Sequence, residues 1–176
     1  MAEIKIEITW GNEKIEIKNG ECIGIYGPTG SGKTTLFNKI LADYSPKNKI
    51  SYIFQDNKLI THLTVLKNVM LPLESKMDKN EAEKKARGWL QELDLVEKVG
   101  SQCNKLSGGE KQRVNLARAF AFDGDIFLFD EAFTAQDEKH KKQIFELIEQ
   151  LKNEKKTILI ISHNKQDLEE LCEKIL

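Results

Sequence analysis

A glycine-rich stretch near the N-terminus constrains this chain more than any other feature. Residues 27–35 read Gly-Pro-Thr-Gly-Ser-Gly-Lys-Thr-Thr, with an apolar run at 22–26 before them and a helical pattern from Lys33 to about Asp43 after them. A strand, a loop and a helix are therefore predicted in succession. Glycine lets the backbone curl until successive N–H groups point inward and form an anion nest. The spacing G-x-x-x-x-G-K-[ST] predicts a phosphate-binding loop, called here the phosphate loop.

Two side chains of the phosphate loop suit a nucleotide triphosphate. The helix start adds its partial positive charge to the nest. The ammonium of Lys33 can lie between the outer phosphates, and the hydroxyl of Thr34 can ligate Mg²⁺. The alternative is a glycine-rich turn between strand and helix that holds no ligand, which the complete spacing and the strand–helix context disfavour.

Composition places the chain among globular proteins and disfavours several other classes. With 176 residues, 40% hydrophobic and 31% charged, it can form one domain with a substantial core. Its net charge of -1 gives no electrostatic case for nucleic acid. The cysteines, Cys22, Cys103 and Cys172, lack metal-ligand spacing and suit a reducing cytosol. We expect no signal peptide, and no apolar run approaches the roughly 20 residues that span a bilayer, so a membrane role requires a partner.

Two alternating segments at the N-terminus predict a hairpin. Residues 4–10 and 14–18 alternate apolar and polar side chains, and Gly11-Asn12 lies between them as a turn. Trp10 ends the first of these strands. It can stack on a nucleotide base or pack on the sheet, and the residues alone favour packing.

Three further apolar runs are typical of buried strands, and each leads into polar residues. The runs and the residues that follow them are 50–54 with Gln55, 126–129 with Asp130 and Glu131, and 157–161 with Ser162 and His163. With residues 22–26 and the intervening helices, they predict an α/β fold whose mostly parallel sheet has helices on both faces. The carboxyl ends of such strands share one rim, where ligands bind.

The adjacent carboxylates Asp130 and Glu131 are the strongest catalytic candidates on that rim. Because neighbouring side chains at a strand end point in different directions, one carboxylate can bind Mg²⁺ while the other faces a water. Taken alone, the pair would be a solvated loop start and His163 a loop histidine. Behind a phosphate loop, the Mg²⁺ interpretation is favoured. His62 and His140 lack such neighbours, and no role is assigned to them.

Helix signals fill the intervals between the strands. The predicted helices are 64–71 behind the cap Thr64, one that begins at Asp78, one from Ser107 to about Phe122, one at 137–152 and one at about 165–173. Two glycines follow Ser107 and weaken the start of its helix by about 1 kcal/mol each relative to alanine. That cost is explained if bare N–H groups must approach an anion closely; an ordinary capped helix start is the alternative.

Taken in order, the motifs resemble those of the ATP-binding-cassette (ABC) family, specifically the ATPase subunit of a transporter. They are the phosphate loop as Walker A, Gln55 in Phe54-Gln55-Asp56 as the Q-loop, residues 106–112 (Leu-Ser-Gly-Gly-Glu-Lys-Gln) as the signature segment, Ile126 to Glu131 as Walker B, and His163 as the switch histidine. Asp137 stands where the family's D-loop (residues 134–137) carries an aspartate. The signature segment distinguishes this family from other phosphate-loop ATPases.

The resemblance implies a shortened ABC ATPase fold. One domain would cover residues 1–176, with a P-loop NTPase core, a mostly parallel central sheet, an N-terminal antiparallel β hairpin and a helical signature subdomain at about 60–122. ATP and Mg²⁺ are the implied cofactors. The residues implied to hold ATP are Trp10 on the base and Gly27, Pro28, Thr29, Gly30, Ser31, Gly32, Lys33, Thr34 and Thr35 on the phosphates.

Catalytic roles and a dimer are also implied by the resemblance. Thr34, Gln55 and Asp130 would coordinate Mg²⁺. Glu131 would be the general base, with His163 at the γ-phosphate and Lys33 and Gln55 completing the catalytic set. In a head-to-tail homodimer, or a pair with another ABC subunit, each ATP would also meet Ser107, Gly108, Gly109 and Asp137 of the opposite subunit.

A membrane partner is implied as well. Gln55 and residues 56–74 would contact a transmembrane permease subunit, which places the protein in the cytoplasm at the inner face of the cell membrane. We expect no nucleic-acid partner and no direct insertion into the membrane. The cargo stays open, because the motifs are similar both to import cassettes for nitrate, sulfonate and thiamine precursors and to cassettes for lipoprotein release and peptide export.

Several positions depart from the family pattern. The segment between Lys33 and Gln55 is much shorter than usual, Ala132 replaces a frequent proline, and Gln136 stands where the D-loop usually has leucine. The chain is expected to be either a minimal or a truncated cassette, with a weak dimer.

Other functions remain as alternatives. A soluble ABC-type ATPase of the iron–sulfur assembly type is a single cassette, and the length of this chain does not exclude it. A non-hydrolysing nucleotide sensor is disfavoured by the presence of Glu131 and His163, and a small-molecule phosphotransferase should lack the signature segment.

Overall fold

The structure is a computed structural model that describes residues 5–10, 13–134 and 136–176. The strands are β1 (Lys5–Trp10), β2 (Glu13–Lys18), β3 (Cys22–Ile25), β4 (Ile50–Ile53), β5 (Ile126–Asp130), β6 (Thr157–Ile161) and β7 (Lys174–Ile175). The helices are α1 (Lys33–Tyr44), α2 (Val65–Met70), α3 (Lys79–Glu92), α4 (Gly108–Phe122), α5 (Glu138–Asn153) and α6 (Lys165–Leu171), with 3₁₀ turns at Val96–Lys98 and Cys103–Lys105.

The chain divides into two compact units. The first unit comprises Met1–Tyr52, Gly124–Glu131 and Phe145–Leu176, and the second comprises Ile53–Asp123 and Ala132–Ile144. The helical subdomain predicted at about 60–122 stays a prediction; its residues all belong to the second unit.

The predicted N-terminal hairpin is confirmed over its described residues. β1 and β2 pair in antiparallel register, with Ile6 opposite Ile17 and Ile8 opposite Ile15. These four side chains are buried, because alternation places every second residue on one face. The predicted turn at Gly11-Asn12 lies outside the described residues.

The predicted mostly parallel sheet is confirmed and has strand order β4-β5-β6-β3-β7. β5 and β6 are buried at every position, as expected of strands covered on both faces. Ile161 of β6 pairs with Ile25 on one side and with Asp130 on the other. The end of β3 and the end of β5 therefore lie in one row at the carboxyl edge of the sheet.

The C-terminal end of the chain differs from the sequence prediction. The last helix, expected to reach about Glu173, ends at Leu171 because Cys172 has an extended backbone. The Glu173 carboxylate accepts a hydrogen bond from Cys22 N, and Lys174–Ile175 then pair with β3 as the strand β7. Two residues carry no alternation pattern, so β7 had no local signal; only the resemblance, which implies that a final strand begins at about residues 175–176, indicated it.

Two helices of the second unit begin at the predicted caps. The Thr64 hydroxyl accepts a hydrogen bond from Lys67 N at the start of α2, and the Asp78 carboxylate accepts bonds from the first turn of α3. Met70 is buried, as expected. Trp89, expected in the core, is only partly buried and stacks on Phe120 with ring centroids 5.2 Å apart.

Candidate functional site

The phosphate loop joins the end of β3 to the start of α1. Gly30 and Gly32 have φ angles of 83° and 89°, in the left-handed region that side-chain-bearing residues rarely adopt. Gly32 is also the N-cap of α1 and supplies no side-chain acceptor. The first N–H groups of α1 consequently lack a side-chain cap, which leaves them available to an anion.

The ammonium of Lys33 is the main positive charge of this loop. Lys33 is only 6% exposed, and its Nζ donates to the carbonyls of Gly27 at 2.7 Å and Pro28 at 2.9 Å. Within the described part of the chain, no carboxylate forms an ion pair with it. Buried cations usually pair with an anion, so this arrangement suits a negatively charged ligand.

At the carboxyl edge of the sheet, Asp130 ends β5 and is 2% exposed. The Tyr52 hydroxyl donates a hydrogen bond to Asp130 Oδ2 at 3.1 Å. Burial, together with the charge and hydrogen bond of Asp130, raises the pKa of Tyr52. The phenol therefore stays protonated and keeps donating to the carboxylate. No sequence signal indicated this contact, because Tyr52 lies within an apolar strand.

Glu131 and His163 meet at the same edge, as the sequence predicted for residues at strand ends. Glu131 Oε1 lies 2.5 Å from His163 Nε2, and the side chains are 7% and 46% exposed. Glu131 has a φ of 53°, an unfavourable angle for a residue with a side chain. Such angles cost about 1–3 kcal/mol and cluster at functional sites. A buried carboxylate beside an exposed histidine can take a proton from a water.

The oxygen donors at this edge suit Mg²⁺. Thr34 lies exposed in the first turn of α1, and Asp130 offers a carboxylate, both being hard oxygen ligands. The described residues contain no cluster of three or more His, Cys, Asp or Glu side chains that could hold a metal by themselves. Mg²⁺ typically binds one or two carboxylates together with substrate phosphates, so these donors fit a metal that arrives with a nucleotide.

The second unit holds the signature segment at the start of α4. Ser107 and Glu110 form a capping box: Glu110 N donates to Ser107 Oγ at 3.3 Å, and Ser107 N donates to Glu110 Oε2 at 2.8 Å. The Ser107 N–H and the ammonium of Lys98, 3.0 Å away, lower the pKa of Glu110 to about 2. The predicted cap is thus confirmed, and Glu110 remains charged.

Gly108, in the first turn of α4, is not explained by local geometry. Its φ is not positive, and a Cβ built there meets no described atom within 4 Å. Neither backbone conformation nor packing of the described chain therefore requires a glycine. A side chain at position 108 would obstruct access to the start of α4 from outside the subunit.

Asp137 lies just before α5 and is tied to His140, to which the sequence assigned no role. Asp137 Oδ1 accepts from His140 N at 2.9 Å and lies 2.7 Å from His140 Nδ1. The backbone N–H of His140 is the main cause that lowers the pKa of Asp137. Asp137 and His140 are three residues apart, and this spacing at a helix start could have indicated the contact from the sequence.

The two units divide the predicted site residues. The phosphate loop, Trp10, Asp130, Glu131 and His163 belong to the first unit, where the sheet brings the last three to one edge. Trp10 is half-buried at the end of β1. The second unit holds Gln55, Ser107, Gly108, Gly109 and Asp137. Gln55 follows β4 and is exposed. No helix formed by the described residues is long and apolar enough to cross a bilayer.

Comparison with known proteins finds extensive similarity. The family described as ABC transporter matches residues 11–134. A probable sulfate/thiosulfate import ATP-binding protein, CysA from Chlorella vulgaris, is 35% identical over 92% of this chain and 77% of its own length. A methionine import ATP-binding protein, MetN from Clostridium acetobutylicum, is 34% identical over 92% of this chain, which spans only 58% of that protein.

Solved structures show the same similarity. The dimeric structure of MJ0796, a bacterial ABC transporter cassette, superposes with a TM-score of 0.81 at 31% identity and covers 95% of this chain and 88% of that one. The same cassette in a post-hydrolysis state bound to ADP and Pi matches equally well.

Proposed function

The chain belongs to the ABC transporter family as an ATP-binding and ATP-hydrolysing subunit, and we propose that the phosphate loop, Asp130, Glu131 and His163 form its active site. The main support for the proposal is the buried ammonium of Lys33, which donates to carbonyls of the phosphate loop and forms no ion pair with a carboxylate among the described residues. A nucleotide triphosphate supplies the negative charge that this site lacks. Left-handed Gly30 and Gly32 shape the surrounding nest.

Hydrolysis requires positioning and charge stabilisation rather than a covalent intermediate. Lys33 and the loop N–H groups hold the β- and γ-phosphates, and Trp10 stacks on the base. Mg²⁺, when bound, neutralises charge on the phosphate oxygens, with Thr34, Asp130 and Gln55 as its protein ligands.

Glu131 orients the attacking water and accepts its proton. His163, whose Nε2 contacts Glu131 Oε1, fixes the direction of that carboxylate and faces the γ-phosphate. The unfavourable φ of Glu131 supports this role, because the fold holds the carboxylate in place at an energetic cost.

The second half of each site comes from another subunit in a head-to-tail dimer. The glycine at 108 supports this proposal, since nothing in the described chain requires it and a partner's γ-phosphate must approach the N-terminus of α4 closely. Ser107, Gly108 and Gly109 donate to that phosphate, and Asp137 lies beside it. Hydrolysis breaks the bond between the β- and γ-phosphates, and release of the inorganic phosphate then removes the charge that joins the subunits, so they separate.

The subunit acts on a membrane permease at the inner face of the membrane. Gln55 and residues 56–74 form the proposed contact surface. The relatives named above are import ATP-binding proteins, which disfavours the soluble iron–sulfur alternative.

The test is the oligomeric state of Glu131→Gln with ATP and Mg²⁺, by size-exclusion chromatography with light scattering. Removing the general base should trap a dimer that depends on ATP. Adding Ser107→Arg should return it to a monomer, because the arginine blocks the start of α4. Glu146→Gln, an exposed carboxylate on α5, is the matched control and should hydrolyse ATP without trapping a dimer. A Glu131→Gln variant that stays monomeric at all ATP concentrations would refute the proposed cross-subunit site.

A further inference from the structure

The side chain of Gln136 bridges the D-loop and the signature segment within one subunit. Its Nε2 donates to the carbonyl oxygen of Gly109 at 3.2 Å, and its Oε1 accepts from Arg113 Nη1 at 3.2 Å. Gly109 and Arg113 lie one turn apart on α4. Both ends of the amide therefore bind the same helix, at the first turn of α4.

Arg113 determines which way the amide points. A guanidinium can only donate, so Gln136 Oε1 must face it and Nε2 must face the Gly109 carbonyl. In the described part of the chain, the Arg113 Nε is buried without a hydrogen-bond partner, and no carboxylate forms an ion pair with this side chain. The charge of Arg113 also helps to lower the pKa values of Asp94 and Asp137, so the guanidinium orients the Gln136 amide beside two carboxylates.

The bridge acts where α4 is intrinsically weak. Gly108 and Gly109 make the first turn costly to order, by about 1 kcal/mol each relative to alanine. A hydrogen bond to Gly109 from outside the helix restrains this turn without adding a side chain to it. The backbone N–H of Gln136 donates to Phe133 O at 3.2 Å, so the D-loop side of the bridge is itself held.

We propose that Gln136 is a positioning residue that holds the start of α4 and residues 136–137 as one preformed element for the ATP of the opposite subunit. This inference rests on the proposed cross-subunit site. Leucine, which the family usually has at this position, has no polar atom and makes neither bond.

Ordering the turn before association should strengthen the dimer without changing how one subunit binds nucleotide. Loss of the two hydrogen bonds should raise the dissociation constant of the ATP dimer about tenfold. Binding of ADP to the monomer uses the phosphate loop of the first unit and should change by less than about twofold. A weaker ATP dimer with unchanged ADP binding indicates a positioning role, whereas a loss of both indicates that the fold is damaged.

The experiment compares Gln136→Leu, Gln136→Glu and Arg113→Met in the full chain that carries Glu131→Gln. Sedimentation measures the ATP dimer, and a fluorescent ADP analogue measures monomer binding. Gln136→Glu keeps the acceptor for Arg113 but places a carboxylate against the Gly109 carbonyl, so it should weaken the dimer at least as much as leucine. Gln91→Leu, on an exposed face of α3, is the matched control and should dimerise like the parent.

Specific activity and amide hydrogen exchange test the same role of Gln136 independently. In the chain with Glu131 restored, the protein concentration that gives half-maximal specific activity should be about tenfold higher for Gln136→Leu. The maximal specific activity should change less than about twofold. Amide hydrogen exchange at Glu110 and Lys111, whose N–H groups donate to Ser107 in the first turn of α4, should accelerate about tenfold in Gln136→Leu and not in Gln91→Leu. The double variant Gln136→Leu with Arg113→Met should be no weaker than the first alone, because both act through one link.

Failure of the cross-subunit ATP site and failure of the positioning role of Gln136 give different results. If the parent does not dimerise with ATP, the cross-subunit site fails and the inference fails with it. If the parent dimerises, and Gln136→Leu matches Gln91→Leu in both dimer affinity and amide exchange, only the positioning role of Gln136 is overturned.

Discussion

Replacing Tyr52 by phenylalanine removes one hydroxyl and tests how the sheet holds Asp130. That hydroxyl donates to a carboxylate that is 2% exposed, at 3.1 Å. Hydrogen bonds to charged groups contribute about 1.5–3 kcal/mol, and the ring retains its packing on Phe37, 5.8 Å between centroids. We expect the free energy of unfolding to fall by about 2 kcal/mol. For a chain of this size, the melting temperature should fall by about 4–8 °C.

The pH dependence of the same variant gives a second, independent test. The pKa of Tyr52 is raised in the folded state by burial and by Asp130, so the stabilisation needs the protonated phenol. It is complete below the unfolded pKa of about 10 and is lost as the pH rises toward the folded value. The difference between wild type and Tyr52→Phe should therefore shrink above pH 10, by up to about 1.4 kcal/mol per pH unit.

Urea unfolding at pH 7 and at several pH values above 10 measures both effects. Tyr26→Phe is the matched control, because that tyrosine is 44% exposed and its hydroxyl has no hydrogen bond among the described residues. It should change the free energy of unfolding by less than about 0.5 kcal/mol. A Tyr52→Phe protein as stable as wild type at pH 7, or a difference that persists unchanged far above pH 10, would refute this account of Asp130.

Three other predictions concern the first unit. Gly32→Ala should lower the free energy of unfolding by about 1–2 kcal/mol in urea, because alanine opposes a φ of 89° although a Cβ there meets no described atom within 4 Å. Lys33→Met should weaken ATP binding at least about 100-fold by calorimetry without lowering the melting temperature, since the buried ammonium has no anionic partner among the described residues; equal affinity would contradict its phosphate role. Diamide, which takes up the two thiol hydrogens, should join Cys22 and Cys172, whose Sγ atoms are 3.4 Å apart, and stabilise the protein by roughly 5 kcal/mol. Peptide mapping should find that crosslink in Cys103→Ser and lose it in Cys172→Ser.

Much of the fold could be predicted because local signals agreed with one another. Alternation in residues 5–10, the caps Thr64 and Asp78, and the buried runs of β5 and β6 each correspond to an element of the structure. The last strand has no local signal, and only the resemblance indicated where it begins. β7 is a two-residue strand that exists only because it pairs with β3.

Within the site, the sequence located residue types but not their contacts. It placed Glu131 and His163 at the ends of separate strands, and the structure puts their side chains 2.5 Å apart. It offered nothing to link Tyr52 to Asp130, which are far apart in the chain and meet through neighbouring strands. The contacts of His140 were missed: its spacing of three residues from Asp137 was a signal that was not used, and nothing in the sequence joined it to the distant Asp94.

The sequence by itself determined the phosphate loop, the order of strands and helices, and the family, because each depends on residues adjacent in the chain or on a fixed spacing. Only the tertiary structure decided that Lys33 is a buried cation, that Glu131 has a left-handed backbone, and that Gln136 contacts Gly109. Burial, backbone strain and long-range hydrogen bonds arise when distant segments pack together. They belong to the packed chain and have no counterpart in the local pattern of its residues.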